Sequence, residues 1–290
     1  MKQTKKNVPI FAKVLLIILL FYFISLLLPL IWAIYTSLKN DAQYRIDKIL
    51  PSYPFYFDNY LSAFSGFKKA IGDRGEFAYF DDMLINSVIY AVGSSFIQTA
   101  IICVTAYATS RFNFKFDKWI YTIVIVTMIL PIVGSLPSEL RVAKLLQLYD
   151  SIWGMFLMKA NFLGMYYLVF HAIFRGIPKD FDEAAYMDGA GNFTIFFKII
   201  FPLVVGTFVT VMLIKFIEFW NDYMTPMVYM PNFPTIALGL YEMTNATTTG
   251  KTGIQIELAA SMIVFIPNFV IFIIFRDKLI GNISMGGLKE

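Results

Sequence analysis

The chain has 290 residues, 58% hydrophobic and 15% charged, with a mean hydropathy of +0.65. Soluble domains run nearer one half apolar and one quarter charged, so this composition excludes a soluble enzyme and describes an integral membrane protein, which its long apolar runs make all-α. The net charge of +4 is too small and dispersed to argue for nucleic acid, and a lone Cys103 in an apolar run leaves no intrachain disulfide or thiol–metal site.

In chain order, six stretches are apolar enough to cross about 30 Å of hydrocarbon, which takes roughly 20 helical residues. They are 14–38, 86–110, 119–137, 153–174, 203–230 and 258–275. The third is interrupted by Pro131, Gly134 and Pro137 and followed closely by Glu139. The first follows Lys2, Lys5 and Lys6 but is too long for a signal-peptide core and has no small-x-small cleavage site, so it reads as a retained span. Pro29, Pro131, Pro137, Pro226 and Pro267 lie within or at the edges of spans, where proline breaks helical bonding and gives kinks.

Basic residues cluster before the first span (Lys2, Lys5, Lys6, Lys13), between the second and third (Arg111, Lys115, Lys118) and after the sixth (Arg276, Lys278). In the insert 38–85 the acids outnumber the bases. With six spans this bias puts both termini in the cytoplasm and makes the chain a multi-pass membrane protein. The expected organisation is residues 1–37 as N-terminus and first span, 38–85 as an extracytoplasmic insert, 86–275 as the core and 276–290 as a cytoplasmic tail. Pro51-Ser52-Tyr53-Pro54-Phe55 and Asp58-Asn59-Tyr60 make the insert too aromatic for a disordered linker, so a small folded outer cap is expected.

One polar stretch, 178–202, lies between two apolar ones. It carries Glu183-Ala184-Ala185, then Gly189, then Ile199-Ile200-Phe201-Pro202. Asp180 and Asp182 are placed to cap a short helix at its positive end. Ala184 and Ala185 permit close approach, and Glu183 offers an acceptor to a partner arginine. Gly189 can take the positive φ that ends the helix. Phe193 to Phe201 forms a second amphipathic run, and Pro202 opens the next span.

This stretch resembles the EAA loop of the permease subunits of bacterial ABC importers: E-A-A, three residues, G, nine residues, I-x-L-P. Phe201 stands where the family usually has leucine. Ala106-Tyr107-Ala108-Thr109-Ser110-Arg111-Phe112 and Trp220-Asn221-Asp222 look like the carbohydrate branch, closest to the smaller maltose-type permease. The resemblance implies cytoplasmic coupling helices that dock an ABC ATPase dimer through Glu183, Ala184, Ala185, Asp188, Gly189, Ile199 and Pro202. It also implies a second homologous permease subunit, an extracytoplasmic solute-binding protein and a sugar substrate, in contact with membrane lipid. ATP and Mg would sit on the partner ATPase, with no cofactor on this chain.

In the outer loop 231–257, Gly250-Lys251-Thr252 copies the tail of a phosphate-binding P-loop. Asn245 occupies the place of the required glycine and no strand precedes it, so nucleotide binding is rejected. The resemblance instead assigns Asn245, Thr248, Gly250 and Lys251 to contact with the solute-binding protein, in a flexible Thr/Gly-rich segment. It also likens the glycine-containing tail, Gly286-Gly287, to one that can reach the ATPase. Catalytic residues are not expected: His171 is the one histidine, and no HExxH or CxxC spacing occurs.

The fifth span carries Lys215, Glu218, Asn221 and Asp222, and ionisable groups in a span usually face a cavity or one another. Glu218, Asn221 and Asp222 at i, i+3 and i+4 share one helical face, flanked by Trp220 and Tyr223. That set is the candidate sugar path. A bland reading stands beside it, in which Lys215 pairs with Glu218 while Asn221 and Asp222 make capping contacts near the outer surface. Three alternatives to a sugar permease remain at this stage: an importer permease for another solute, a proton-coupled transporter using Lys215, Glu218 and Asp222, and a structural or sensory membrane protein.

Overall fold

The computed structural model describes residues 10–72, 75–112, 114–130, 134–250 and 252–284, with side chains to residue 276. The elements are α1 (Ile10–Ser37), α2 (Asp41–Ile46), α3 (Asp58–Gly66), β1 (Lys69–Ile71), β2 (Glu76–Ala78), α4 (Phe80–Arg111) and α5 (Asp117–Ile129). They continue as α6 (Leu136–Leu145), α7 (Ile152–Lys159), α8 (Met165–Gly176), α9 (Asp180–Met187) and α10 (Asn192–Ile195). A π-helical turn, Phe196–Ile200, leads into α11 (Phe201–Trp220), followed by α12 (Met224–Tyr229), α13 (Ile236–Thr248) and α14 (Ile254–Ser284).

Among the described residues four helices are long and apolar enough to cross a membrane: Ile10–Ser37, Phe80–Arg111, Asn192–Trp220 and Ile254–Arg276. They match the first, second, fifth and sixth expected spans. The third and fourth are in pieces. At 1.5 Å per residue α5 is only about 20 Å long, and it stops at Ile129 because Leu130, which precedes Pro131, is extended (φ −80, ψ 117). Proline's ring disfavours the helical region for the residue before it. The fourth stretch divides into α7 and α8 around Gly164, at φ +121. Pro29 and Pro267 lie inside helices, whereas Pro137 and Pro202 sit in first turns, where the missing N–H costs nothing. Pro131 lies outside the described residues.

The chain divides into two compact units, residues 1–67 with 242–266 and residues 68–241 with 267–290. In the first, Asn59 of the Asp58-Asn59-Tyr60 run donates to the carbonyls of Ser37 and Lys39, both at 2.7 Å. Tyr60 meets the Ser37 hydroxyl at 2.9 Å. Asn40 and Gln43 form a reciprocal capping box on α2. Asp47 accepts from the Leu50 and Ile49 amides, which hold its carboxyl below the ordinary carboxylate range. The Asp58-Asn59-Tyr60 run is thus tied to the end of α1 and the residues just after it.

In the second unit α4 is the central helix, packed by α11, α8 and α7. Its buried positions (Tyr90, Ala91, Ser94, Ser95, Gln98, Thr99, Ile102, Cys103, Ala106) recur at helical spacing and are mostly small, which lets neighbours approach. A Cβ at Gly93 would overlap the Phe156 ring of α7. One core cluster gathers Tyr107, Phe170, Phe174, Ile195, Phe196 and Val204 near the Arg111 end of α4. Another gathers Tyr90, Met155, Phe216, Phe219 and Trp220. The hairpin β1–β2 pairs Lys69 with Ala78 and Ile71 with Glu76, just before α4 begins.

Candidate functional site: a polar loop clamped to the central helix

The stretch between α8 and α11 folds as helix, glycine turn, helix. α9 carries Asp180, Asp182 and Glu183 in its first turn, which suits the positive end of the helix dipole. The expected side-chain cap does not form: Lys179 is the N-cap, in helical conformation, with no capping bond. Asp182 turns instead to Arg111, at 2.7 Å from Nη2. The Arg111 side chain is 3% exposed, and a buried cation without a counter-charge costs far more than an uncapped N–H beside water.

Arg111 holds more than Asp182. Its Nη1 donates to the Ile177 carbonyl at 2.7 Å and to that of Phe174 at 3.3 Å, and Nη2 donates to Pro178 at 3.2 Å. These carbonyls lie at or just beyond the C-terminus of α8, the negative end of its dipole. A single guanidinium on the last residue of α4 thereby fastens both the exit of α8 and the first turn of α9. Sequence reasoning reads Arg111 as an orientation charge and as part of the carbohydrate-branch stretch 106–112, not as a contact to the loop. The available signal was its place directly after a span that also carries the carbohydrate-branch residues 106–112.

Within the loop Ala185 points into the core, 5% exposed, while Glu183, Ala184 and Asp188 face outward. Gly189 takes φ +78 with no atom within 4 Å of where a Cβ would sit, so glycine is required there by conformation and not by space. Its N–H donates to the Tyr186 carbonyl at 3.0 Å and that of Ala190 to Ala185 at 2.9 Å, closing the helix end. Ile199 is half-buried against the core and Pro202 stands in the first turn of α11. Phe201 lies 5.3 Å from the Phe208 ring and 5.9 Å from Phe196. The larger anchor is therefore taken up by an aromatic cluster.

On the outer surface of this loop Phe181, Ala184, Asp188 and Ile199 help line an open hollow of 580 Å³. Met187 and Phe193 of the same loop are 88% and 82% exposed. Small, acidic and unpartnered apolar side chains in one hollow can receive a protein helix or loop.

The candidate path residues do not form one face. α11 ends at Trp220 and Asn221 is its C-cap, so helical spacing no longer applies to Asp222. Asp222 accepts from the Tyr90 hydroxyl at 2.8 Å and from the Thr225 amide at 2.9 Å, and lies 3.6 Å from Lys159 Nζ. Lys159 also donates to Thr225 Oγ1 at 3.0 Å. Glu218, 57% exposed, pairs with Lys215 at 2.8 Å. Trp220 is buried and stacks on Phe216 at 5.6 Å, and Tyr223 stacks on Tyr241 at 4.4 Å. Asn221 bonds back to the Ile217 carbonyl and receives Asn268 at 3.4 Å. Lys159 and Tyr90 went unnoticed in the sequence because their partners are 63 and more residues away.

The outer segment is not a flexible loop: α13 fills it. Asn245, Thr248 and Gly250 are exposed at and just past its end, where Gly250 takes φ +74. The Asn245 carbonyl receives the Thr249 N–H, and hydroxyls of Thr248 and Thr249 bond back to helix carbonyls. Lys251 and the tail glycines 286 and 287 lie outside the described residues. His171 is buried, its ring 4.9 Å from that of Tyr121 and 5.7 Å from Tyr167.

A family model described as "binding-protein-dependent transport system inner membrane component" matches residues 98–277, from mid-α4 through the loop into α14. The chain belongs to this family. The permease is 27% identical over 270 residues to the trehalose transport system permease protein SugB of Mycobacterium tuberculosis, covering 91% of this chain and 92% of that protein. It is 27% identical over 277 residues to the probable ABC transporter permease protein YurM of Bacillus subtilis, covering 94% and 87%. A crystal structure of a bacterial ABC transporter involved in import of the acidic polysaccharide alginate contains a chain of the same fold. Its TM-score is 0.74 at 22% identity, with 94% of this chain and 99% of that one aligned. The permease is accordingly a membrane subunit of a transport system, multi-pass, with ATP hydrolysis carried by a separate ATPase.

Proposed function

We propose that the chain forms one half of the translocation path of a carbohydrate importer and couples that path to a cytoplasmic ATPase through residues 178–202. The observation that carries the coupling role is the Arg111 clamp. It joins the first turn of α9 to the central helix, so that a push on the loop reaches α4 as a rigid-body displacement. The hollow lined by Ala184 and Asp188, together with the exposed Met187 and Phe193 of the same loop, is the surface a partner would grip.

The substrate class rests on kinship with a trehalose permease. The two divided stretches would complete six spans by packing their pieces together, with irregular backbone buried in protein. A second permease would close the path, an extracytoplasmic binding protein would deliver sugar near Asn245, Thr248 and Gly250, and both termini would be cytoplasmic. Proton coupling through a Lys215–Glu218–Asp222 relay is not favoured. Glu218 is paired with Lys215, and Asp222 with Lys159 and Tyr90.

The test is to purify the chain from native membranes with its accompanying subunits and to compare Glu183→Lys and Gly189→Asp with wild type. Expected are a second permease and an ATPase in the eluate, hydrolysis stimulated by a sugar-loaded binding protein, and normal insertion with loss of transport in both variants. Normal transport by either variant would refute the coupling role.

A further inference from the structure

At the Arg111 end of α4, the end of α4, the start of α5 and the end of α8 enclose a second hollow of 350 Å³. Its lining includes Thr109, Ser110, Lys118, Thr122, His171 and Arg175. Lys118 and Arg175 are exposed, and neither has a carboxylate at ion-pair distance among the described residues. One carboxylate, Asp117, also lines the hollow and accepts the Lys118 amide at 2.6 Å; two cations against it leave the lining net positive. The hydroxyls of Ser110 and Thr122 give their protons to helix carbonyls. The strong donors left facing the space are therefore two cations, which select an anion.

What lies beyond the hollow narrows the anion. Trp119, Ile123 and Val126 of α5 are exposed at i, i+4 and i+7 and form an apolar stripe on the face next to the one that carries Lys118 and Thr122, running away from the charged end. Tryptophan is enriched at headgroup depth, where its ring is amphipathic, and basic pockets between spanning helices bind phosphorylated headgroups. A soluble anion has no use for such a stripe, whereas acyl chains do.

We propose that Lys118 and Arg175 bind the phosphodiester of an anionic phospholipid whose acyl chains lie along the Trp119–Val126 face of α5. The assignment needs only the membrane location of the family, not the substrate or ATPase reading, and stands or falls independently of them.

The full chain, in nanodiscs with the subunits that accompany it, is irradiated with phosphatidylglycerol or phosphatidylcholine bearing a diazirine near the glycerol backbone. Adducts are then mapped by mass spectrometry. Expected is labelling of residues 109–122 and 171–175 by phosphatidylglycerol at least about tenfold above phosphatidylcholine, falling by a similar factor in the double variant Lys118→Gln, Arg175→Gln. Both side chains are exposed, so the variant should fold, and unchanged labelling elsewhere on the chain serves as the control. Equal labelling by the two lipids, labelling unchanged in the variant, or no adduct because a partner subunit covers the hollow would each overturn the proposal. Displacement of the label by millimolar inorganic phosphate would also overturn it, since the hollow would then serve a soluble phosphate.

Discussion

At the scale of single residues the loop depends on two side chains whose roles differ in kind. Gly189 is needed for its φ of +78 alone. Arg111 is needed for what it touches: one carboxylate and three carbonyls, in near-complete burial. Lysine cannot reproduce a planar fork serving several acceptors, so Arg111→Lys should retain charge and lose the clamp. Removing one partner of a buried pair costs about 3 kcal/mol or more. Arg111→Lys and Asp182→Ala are therefore expected to lower the melting temperature of the purified assembly and to weaken the stimulation of hydrolysis by transport substrate. A melting curve with parallel ATPase assays checks both. Equal coupling in Arg111→Lys would show that charge at this position is enough. The acidic first turn of α9 was legible from sequence. The destination of Asp182 was not, because its partner lies 71 positions earlier and is brought there by packing.

At the scale of elements, α4 is the helix against which the others are arranged, and its small residues set the distances. Gly93 meets the Phe156 ring where a Cβ would have to be. Overpacking of this kind typically costs about 1–3 kcal/mol. Gly93→Ala should therefore destabilise the protein, and Phe156→Leu should recover part of the loss by removing the ring. A double-mutant cycle on thermal stability measures the coupling, and additive losses would mean the contact is slack. Four long spans were readable because apolar runs of sufficient length have few other uses. The divided third and fourth were overcalled as continuous. Hydropathy sums over a stretch and does not register that Leu130 must leave the helix before Pro131 or that Gly164 turns the chain at φ +121. α13 was missed for the opposite reason, since its Thr-rich end masks the apolar residues Ile236, Ala237 and Leu238 that anchor it.

For the whole molecule the decisive geometry is the length of α4. Thirty-two residues at 1.5 Å give about 48 Å, enough to cross the bilayer and project at both ends. The β1–β2 hairpin precedes one end and the clamped loop is held at the other. The basic residues Arg111, Lys115 and Lys118 at the loop end predict that it is cytoplasmic. The sole cysteine, Cys103, is buried, so a single added cysteine can be read without background. Lys115→Cys, exposed at the loop end but outside the proposed grip surface, should react with a membrane-impermeant thiol reagent only after the cells are opened, and Glu76→Cys in intact spheroplasts. The reverse pattern would invert the orientation.

Sequence by itself determined the solvent, the long spans and the loop. Apolar run length is a local quantity, and so is the spacing of Glu183, Ala184, Ala185, Gly189 and Pro202. The Lys215–Glu218 pair, three residues apart, was readable as well, whereas tertiary structure decided which charges meet across long sequence distances. Asp222 went to Tyr90 and Lys159 rather than to a shared face with Glu218, and Asp182 went to Arg111 rather than to its own helix cap. The physical reason is the same in both cases: in a low-dielectric interior a buried charge is satisfied by whichever partner packing brings within reach, and sequence distance does not enter that energy.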